Sequence, residues 1–290
     1  AQLTPEEIAS RAAAIQQCGN LVYPRTLNEE KYEDEEEYEE GEDFEEDDEW
    51  LSSDFIAKSF QLPVKEITLR FQAIQKHYLS LFPKNIDDEG LDQYSVEEFR
   101  TTLMGLTADQ IDALAPHASL LFKEAMDGED KSQVIQAYAR VMPEEIVSRI
   151  LAIQEYIYPL LPKNIDGYFY GPIIEQCSKF SPVQITLKAK TILHTLSLFN
   201  IRMHWREQST TIWSLLKLTP EQVAAIGEYI SSITIKNKDA WEPNRIIGDC
   251  KELTPEQITA MGKYVASMVT TDMDVKDLHN IIRDYKKLMP

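Results

Sequence analysis

Apolar positions recur with helical spacing behind a short heading that returns along the whole chain. LTPEQV at 218–223 reappears as LTPEQI at 253–258, 35 residues later. Weaker forms are LTPEEI at 3–8, LPVKEI at 62–67, LTADQI at 106–111, VMPEEI at 141–146 and FSPVQI at 180–185. Thr or Ser caps a helix, Pro suits the first turn, and Glu or Gln complements the exposed amides. Each heading therefore predicts a helix start.

A stripe of apolar residues follows each heading. Seven residues after the last position of the heading stand Ile15, Ile74, Ala118, Ile153, Ile192, Ile230 and Val265. Four residues after it the residue is mostly small, as at Ala12, Ala189, Gly227 and Gly262. Together with the last position itself (Ile8 in the first copy), this spacing predicts one buried helix face. The small residues predict close approach of a neighbouring helix.

A second helix is predicted before the next heading in most copies. Its signature is a pair of adjacent apolar residues: Val134-Ile135, Ile173-Ile174, Ile246-Ile247 and Ile281-Ile282, with Ile212-Trp213 nearly in step. Helix pairs at spacings of 35 to 59 residues predict an all-α fold, an irregular α-solenoid of about seven helix-pair repeats. The expected organisation is a single domain over 1–290, with 288–290 beginning a partial eighth heading. A globular helical bundle is the alternative.

The segment 29–50 lies between the two helices of the first pair and has an unusual composition. Sixteen acidic residues and one Lys between Glu29 and Glu49 hold −15 of the net charge of −20. Aromatic residues stand at every sixth position: Tyr32, Tyr38, Phe44 and Trp50. One interpretation is a solvated acidic loop that does not fold alone. Another is a surface that holds a basic partner through charge and cation–π contacts, and a third is a segment that folds back onto the array.

Aromatic and basic residues also stand in the predicted connections within helix pairs, which line one edge of a repeat array. These candidate protein-binding residues are Tyr94, Tyr168, Tyr170, Arg202, Trp205, Arg206 and Trp241, with Phe169 and His204 beside them. Trp, Tyr and Arg concentrate binding energy at protein interfaces. Packing within their own repeat is the alternative for each of them.

Catalytic chemistry has little support in the sequence. Cys18, Cys177 and Cys250 are widely separated, which predicts reduced thiols in a cytoplasmic protein. No nucleotide-binding, metalloprotease or hydrolase motif is present, so we expect no catalytic residue, cofactor or metal site. No apolar run approaches 18 residues and the N-terminal residues do not form a signal peptide, so we expect no membrane partner. Translocation without a cleaved signal stays open.

Three resemblances extend this interpretation. LTPEQVAAI resembles the opening of a TAL-effector repeat, but SITIKNKDAWEPN stands where that family has a Gly-rich, base-reading loop. The unit of about 35 residues is similar to tetratricopeptide and pentatricopeptide repeats in its architecture. The irregular repeats and the acidic insert resemble effectors, and effector regulators, of intracellular bacterial pathogens.

The resemblances imply a non-catalytic scaffold that sequesters or inhibits a protein partner by steric and electrostatic occlusion. The partner would be a bacterial effector or another basic protein, and an oligomer is not implied. The acidic balance disfavours nucleic-acid binding. The alternatives are an inhibitor that mimics nucleic acid and an effector enzyme of unrecognised class.

Overall fold

A computed structural model describes residues 3–22, 53–81, 93–123, 126, 128–199, 203–234, 243–268 and 275–288. Within these ranges the backbone forms helices and connecting turns and no strand. The prediction of an all-α fold is therefore confirmed. Backbone contacts group the chain into two compact units, Ala1–Val147 and Ser148–Pro290. The prediction of a single domain stays a prediction.

The helices of the first unit follow the chain in order. They are α1 (Pro5–Val22), α2 (Ser53–Phe60), α3 (Val64–Lys76), α4 (Tyr78–Leu81), α5 (Gln93–Leu103), α6 (Ala108–Leu114), α7 (Ala118–Leu121) and α8 (Gly128–Tyr138). A 3-10 turn, Ala115–His117, joins α6 to α7. The boundary between the units falls inside α9 (Pro143–Ala152).

The second unit continues from α9 through a π-helical turn, Ile153–Ile157, and a 3-10 turn, Tyr158–Leu160. Its other helices are α10 (Gly167–Ser178), α11 (Pro182–Leu198), α12 (Trp205–Leu216), α13 (Pro220–Thr234), α14 (Pro243–Cys250), α15 (Pro255–Met268) and α16 (Val275–Leu288).

Each heading of the sequence opens a helix at its third residue. We call α1, α3, α6, α9, α11, α13 and α15 the first helices, and α2, α5, α8, α10, α12, α14 and α16 the second helices. The capping chemistry is direct in α13, where the Thr219 amide donates to Oε1 of Gln222 at 2.9 Å and the Gln222 amide donates to Thr219 Oγ1 at 3.2 Å. This reciprocal pair satisfies two amides that have no partner within the helix.

Helices of the same kind pack in rows within each unit. In the first unit α1 packs on α3 and α3 on α6, while α2 packs on α5 and α5 on α8. In the second unit α11 packs on α13 and α13 on α15, while the second helices follow in the order α10, α12, α14 and α16. Within each unit these helices therefore contact the corresponding helix of the next pair.

The predicted apolar stripe forms the core of both units, except at two positions in α1. The last residue of the heading is buried in Ile67, Ile111, Ile146, Ile185, Val223 and Ile258. Ile8 is 46% exposed, and Ala12, one turn further on, is exposed as well. In the row of first helices α1 packs on α3, and the prediction that Ile8 and Ala12 are buried is wrong.

Two glycines of the stripe lie where neighbouring helices approach closely, as predicted. A Cβ on Gly262 of α15 would lie 2.7 Å from Cδ2 of Tyr229 in α13. A Cβ on Gly227 of α13 would lie 2.9 Å from Oγ1 of Thr195 in α11. Both distances are shorter than a normal contact, so glycine sets the spacing of these helices.

A long donor side chain joins six of the first helices to the backbone where the following second helix ends. The donors and acceptors are Arg11 to the Phe60 carbonyl (2.5 Å), Arg70 to Met104 (2.6 Å), Gln110 to Val141 (2.8 Å), Arg149 to Ser178 (2.6 Å), Lys188 to Leu216 (3.1 Å) and Gln222 to Leu253 (2.7 Å). The basic donors stand three residues after the heading, and the glutamines are its fifth residue. The last carbonyls of a helix lack partners within it. Each donor therefore caps the C-terminal end of a second helix and holds that end to the first helix on which the donor lies.

Candidate protein-binding site

The start of α10 displays one aromatic side chain and buries another. Asp166 is the N-cap, and its Oδ1 accepts a hydrogen bond from the Phe169 amide at 3.3 Å. This cap directs Tyr168 outward, where 77% of its surface is exposed, while Phe169 is half-buried and Tyr170 is fully buried. Tyr168 is thus a large aromatic side chain held on the surface by a fixed helix terminus.

The start of α12 lies beside it, because α10 packs on α12. His204 is the N-cap, and its amide donates to Oε2 of Glu207 at 3.1 Å while the Arg206 amide donates to His204 Nδ1 at 3.4 Å. Gln208 donates from Nε2 to the Leu160 carbonyl at 3.0 Å, which ties this helix start to the turn before α10. Trp205 and Arg206 therefore occupy fixed positions.

The aromatic rings of the two helix starts form a continuous chain. The ring centroids of Tyr168 and Phe169 are 5.1 Å apart, and those of Phe169 and Trp205 are 6.2 Å apart, both nearly perpendicular. The His204 ring follows at 5.6 Å from Trp205. We call Tyr168, Phe169, His204, Trp205 and Arg206 the edge cluster. Edge-to-face contacts at these distances stabilise aromatic pairs beyond their burial.

Arg206 adds a positive charge at one end of the edge cluster. Its Cζ lies 5.0 Å from the centroid of the Trp205 ring, a cation–π contact. The side chain is exposed and forms no ion pair with any residue that the structure describes. In the described part of the chain its guanidinium therefore faces solvent.

A hydrogen-bonded pair of tyrosines, Tyr158 and Tyr170, holds the start of α10 in place. The Tyr170 hydroxyl donates to the Tyr158 hydroxyl at 2.5 Å, and their ring centroids are 5.8 Å apart. Burial raises the pKa of Tyr158 to about 12, against a smaller lowering by the hydrogen bond from Tyr170. Tyr158 therefore stays neutral at physiological pH, and its hydrogen bond with Tyr170 holds the first turn of α10 against the turn Tyr158–Leu160.

The structure brings together only some of the residues predicted for the binding rim. Tyr168, Trp205 and Arg206 lie in the edge cluster, but Tyr170 is buried, and we leave it out of the proposed surface. Tyr94 lies in α5, with its side chain outside the described part. Six further predicted residues lie outside the described residues: Tyr32, Tyr38, Phe44, Trp50, Arg202 and Trp241.

Two residues that support the edge cluster were not predicted. Tyr158 gave no distinct signal, because its position in YIYPLLP is typical of a helix end. Gln208 follows the sequence HWRE and resembles an ordinary exposed helix residue. Only the packing of α12 against the preceding turn shows its role.

Two of the three cysteine thiols lie in the core. Cys177 and Cys250 are both fully buried. Burial raises the pKa of the Cys177 thiol, against a smaller lowering by the Lys188 ammonium. A thiol held in its neutral form is a poor nucleophile, so Cys177 acts as a small apolar side chain.

Two further properties bear on the class of site. Within the described ranges, no group of three or more His, Cys, Asp or Glu side chains is arranged to hold a metal ion. No helix in these ranges has both the length and the hydropathy that crossing a membrane requires.

Comparison with protein-family models, with curated proteins and with solved structures finds no match to the chain. The fold is helical with helices packed against each other, and the resemblances described above rest on the sequence alone.

Proposed function

We propose that the chain is a non-catalytic scaffold that binds a protein partner through the edge cluster. The observation that supports this function best is the exposure of Tyr168, 77%, at the end of a fixed chain of aromatic rings. Leaving a large ring in water forgoes roughly 1.5–3 kcal/mol of burial. A partner that covers Tyr168 and contacts Arg206 recovers this free energy, and its side chains meet a surface that is already ordered.

The proposed architecture is an irregular α-solenoid of about seven helix pairs, similar to tetratricopeptide repeats. Support comes from the rows of first and second helices within each unit and from the six donor side chains that join a first helix to the end of the following second helix. In such an array each repeat contacts its neighbours, and the connections within pairs share one edge. The edge cluster lies at the ends of two such connections, where α10 and α12 begin.

The acidic segment 29–50 would supply a second contact, to a basic surface of the partner. Its charge of −15 favours rapid encounter with a basic protein, and Tyr32, Tyr38, Phe44 and Trp50 would anchor the bound state. Cover of the partner at two places would inhibit it by occlusion. In this proposal the partner is a basic protein such as a bacterial effector.

Affinity capture with matched baits tests the edge cluster. The baits are the wild-type chain, Tyr168→Ser, and the control Val183→Ser, which removes an apolar side chain of equal exposure, 78%, from α11. We expect proteins retained by the wild type and by Val183→Ser to be depleted at least about tenfold on Tyr168→Ser, equivalent to about 1.4 kcal/mol. Equal recovery on all three baits would exclude the edge cluster as the binding surface.

The acidic segment is tested separately with the captured partner. Replacement of the four aromatic residues by Ser keeps the charge of −15 and removes the anchors. We expect a larger loss of affinity in a calorimetric titration than a rise in salt produces in the wild type. Unchanged affinity would reject the anchoring role of these residues and leave the edge cluster untouched.

A further inference from the structure

Arg206 is positioned to bind a negatively charged group. Its guanidinium is stacked on the Trp205 ring, with Cζ 5.0 Å from the centroid, and faces solvent. A stacked guanidinium keeps the donors along its edge free, and their spacing matches the two oxygens of a carboxylate. The indole also limits the rotamers of Arg206, so less conformational entropy is lost when a ligand binds.

The two carboxylates beside the edge cluster, Asp166 and Glu207, have partners of their own. Asp166 accepts the Phe169 amide at 3.3 Å, and Glu207 accepts the His204 amide at 3.1 Å. Each thus serves the amides at a helix N-terminus, where a negative charge is stabilised. Two further side chains at these helix starts are exposed. His204 is the N-cap of α12, and Lys163 precedes α10 in the chain. Lys163 and Arg206 balance Asp166 and Glu207, so this surface does not share the strong negative charge of the chain as a whole, −20.

An apolar platform lies next to the charge. Tyr168 and Phe169 meet edge to face at 5.1 Å, and Phe169 meets Trp205 at 6.2 Å. A ligand whose carboxylate reaches Arg206 therefore lays its neighbouring residues over aromatic rings.

We propose that the edge cluster binds a peptide segment of the partner in which Asp or Glu alternates with aromatic or large aliphatic residues. A carboxylate of the segment pairs with Arg206, and an apolar side chain packs on Tyr168. The proposal rests on the proposed protein-binding function and names the chemistry of the bound segment. A nucleic acid also offers anions and flat rings, but it carries a negative charge at every nucleotide, so a chain of charge −20 repels it more strongly than a peptide with a few carboxylates.

A random dodecapeptide library displayed on phage tests this assignment. It is selected on the full chain after depletion on the double variant Tyr168→Ser/Arg206→Gln. Depletion removes peptides that bind elsewhere, including basic peptides that bind the acidic segment. Both substituted side chains are exposed, so the folding of the double variant should match the wild type, which circular dichroism checks.

We expect enriched peptides that contain Asp or Glu within three residues of Phe, Tyr, Trp or Leu. A synthetic copy of the most enriched peptide should bind Arg206→Gln at least about tenfold more weakly than the wild type, with Arg206→Lys intermediate, since Lys keeps the charge and loses the paired donors. The oligonucleotide dT12, titrated in parallel, should not bind in an Arg206-dependent manner.

Each other outcome has a distinct meaning. Enriched peptides that depend on Tyr168 but contain no excess of acidic residues, or that bind Arg206→Gln equally well, would overturn the acidic assignment and leave the proposed function standing. Selection that yields no peptide dependent on either residue would overturn both. Arg206-dependent binding of dT12 would replace the peptide by a nucleic acid.

Discussion

Two glutamines in identical headings provide a matched test of how the helix pairs are joined. Gln222 and Gln257 both occupy the fifth position of LTPEQ, and both form the reciprocal capping bonds, with Thr219 and Thr254 respectively. Gln222 also donates from Nε2 to the Leu253 carbonyl at 2.7 Å. Among the described residues, Gln257 has the capping contacts only.

Replacement of each glutamine by Glu separates the cap from the junction. A carboxylate keeps the capping acceptor, as Glu7 does for the Thr4 amide at 2.8 Å in the first heading. It removes the donor to Leu253, a residue with 6% exposure, and leaves that carbonyl without its partner. The lost partner of a buried carbonyl costs about 1–3 kcal/mol, so Gln222→Glu should destabilise by about 2 kcal/mol. Gln257→Glu should change stability by less than about 0.5 kcal/mol.

Urea unfolding followed by circular dichroism measures both variants. In thermal unfolding, the same loss of about 2 kcal/mol corresponds to a fall of about 4–8 °C in the unfolding temperature for a unit of this size. The gap between the variants should narrow below about pH 4.3, because a protonated carboxyl group donates again. Equal effects of Gln222→Glu and Gln257→Glu would refute the junction role, since the cap alone would then explain both.

Two further substitutions test the packing and the buried tyrosine. Gly262→Ala should lower the free energy of unfolding in urea by about 1–3 kcal/mol, because the new Cβ would lie 2.7 Å from Tyr229. The control Gly248→Ala, with no atom within 4 Å of its Cβ, should leave stability unchanged or raise it. An equal gain in stability from both substitutions would contradict the close approach. Burial raises the pKa of Tyr158 from 10.0 to about 12, so the unfolded chain ionises first and the stability that neutral Tyr158 contributes is lost as pH rises from 10 to 12. The difference in unfolding free energy between wild type and Tyr158→Phe should fall by about 1.4 kcal/mol from pH 9 to pH 11, and a difference independent of pH would contradict the assignment.

The helix starts and the buried faces could be predicted because their causes are local. Thr, Ser, Pro and Gln act within one turn of the helix that they open, and the apolar stripe repeats with the helix itself. The exposed positions of Tyr168 and Arg206 also follow from local features, since both stand beside N-cap residues. These parts of the fold need no knowledge of what packs against what.

The donors at the junctions could not be predicted because their acceptors are distant in sequence, and the burial of Tyr170 could not because it depends on the residue at which α10 begins. Arg70 and Lys188 look like surface charges, yet each is less than a tenth exposed and donates to a carbonyl about thirty residues away. Tyr170 lies in a sequence of three aromatic residues, and only the start of α10 at Gly167 decides which of them turns inward. A shift of one residue at that start would exchange their exposures.

Hydrogen exchange with mass spectrometry tests the proposed binding surface most directly. The full chain is measured alone and with the most enriched dodecapeptide in excess. The account predicts slower exchange in the segments 166–170 and 204–208 of the wild type, and no change there in Tyr168→Ser. Slower exchange confined to other segments, with these two unaffected by a peptide that binds, would contradict it.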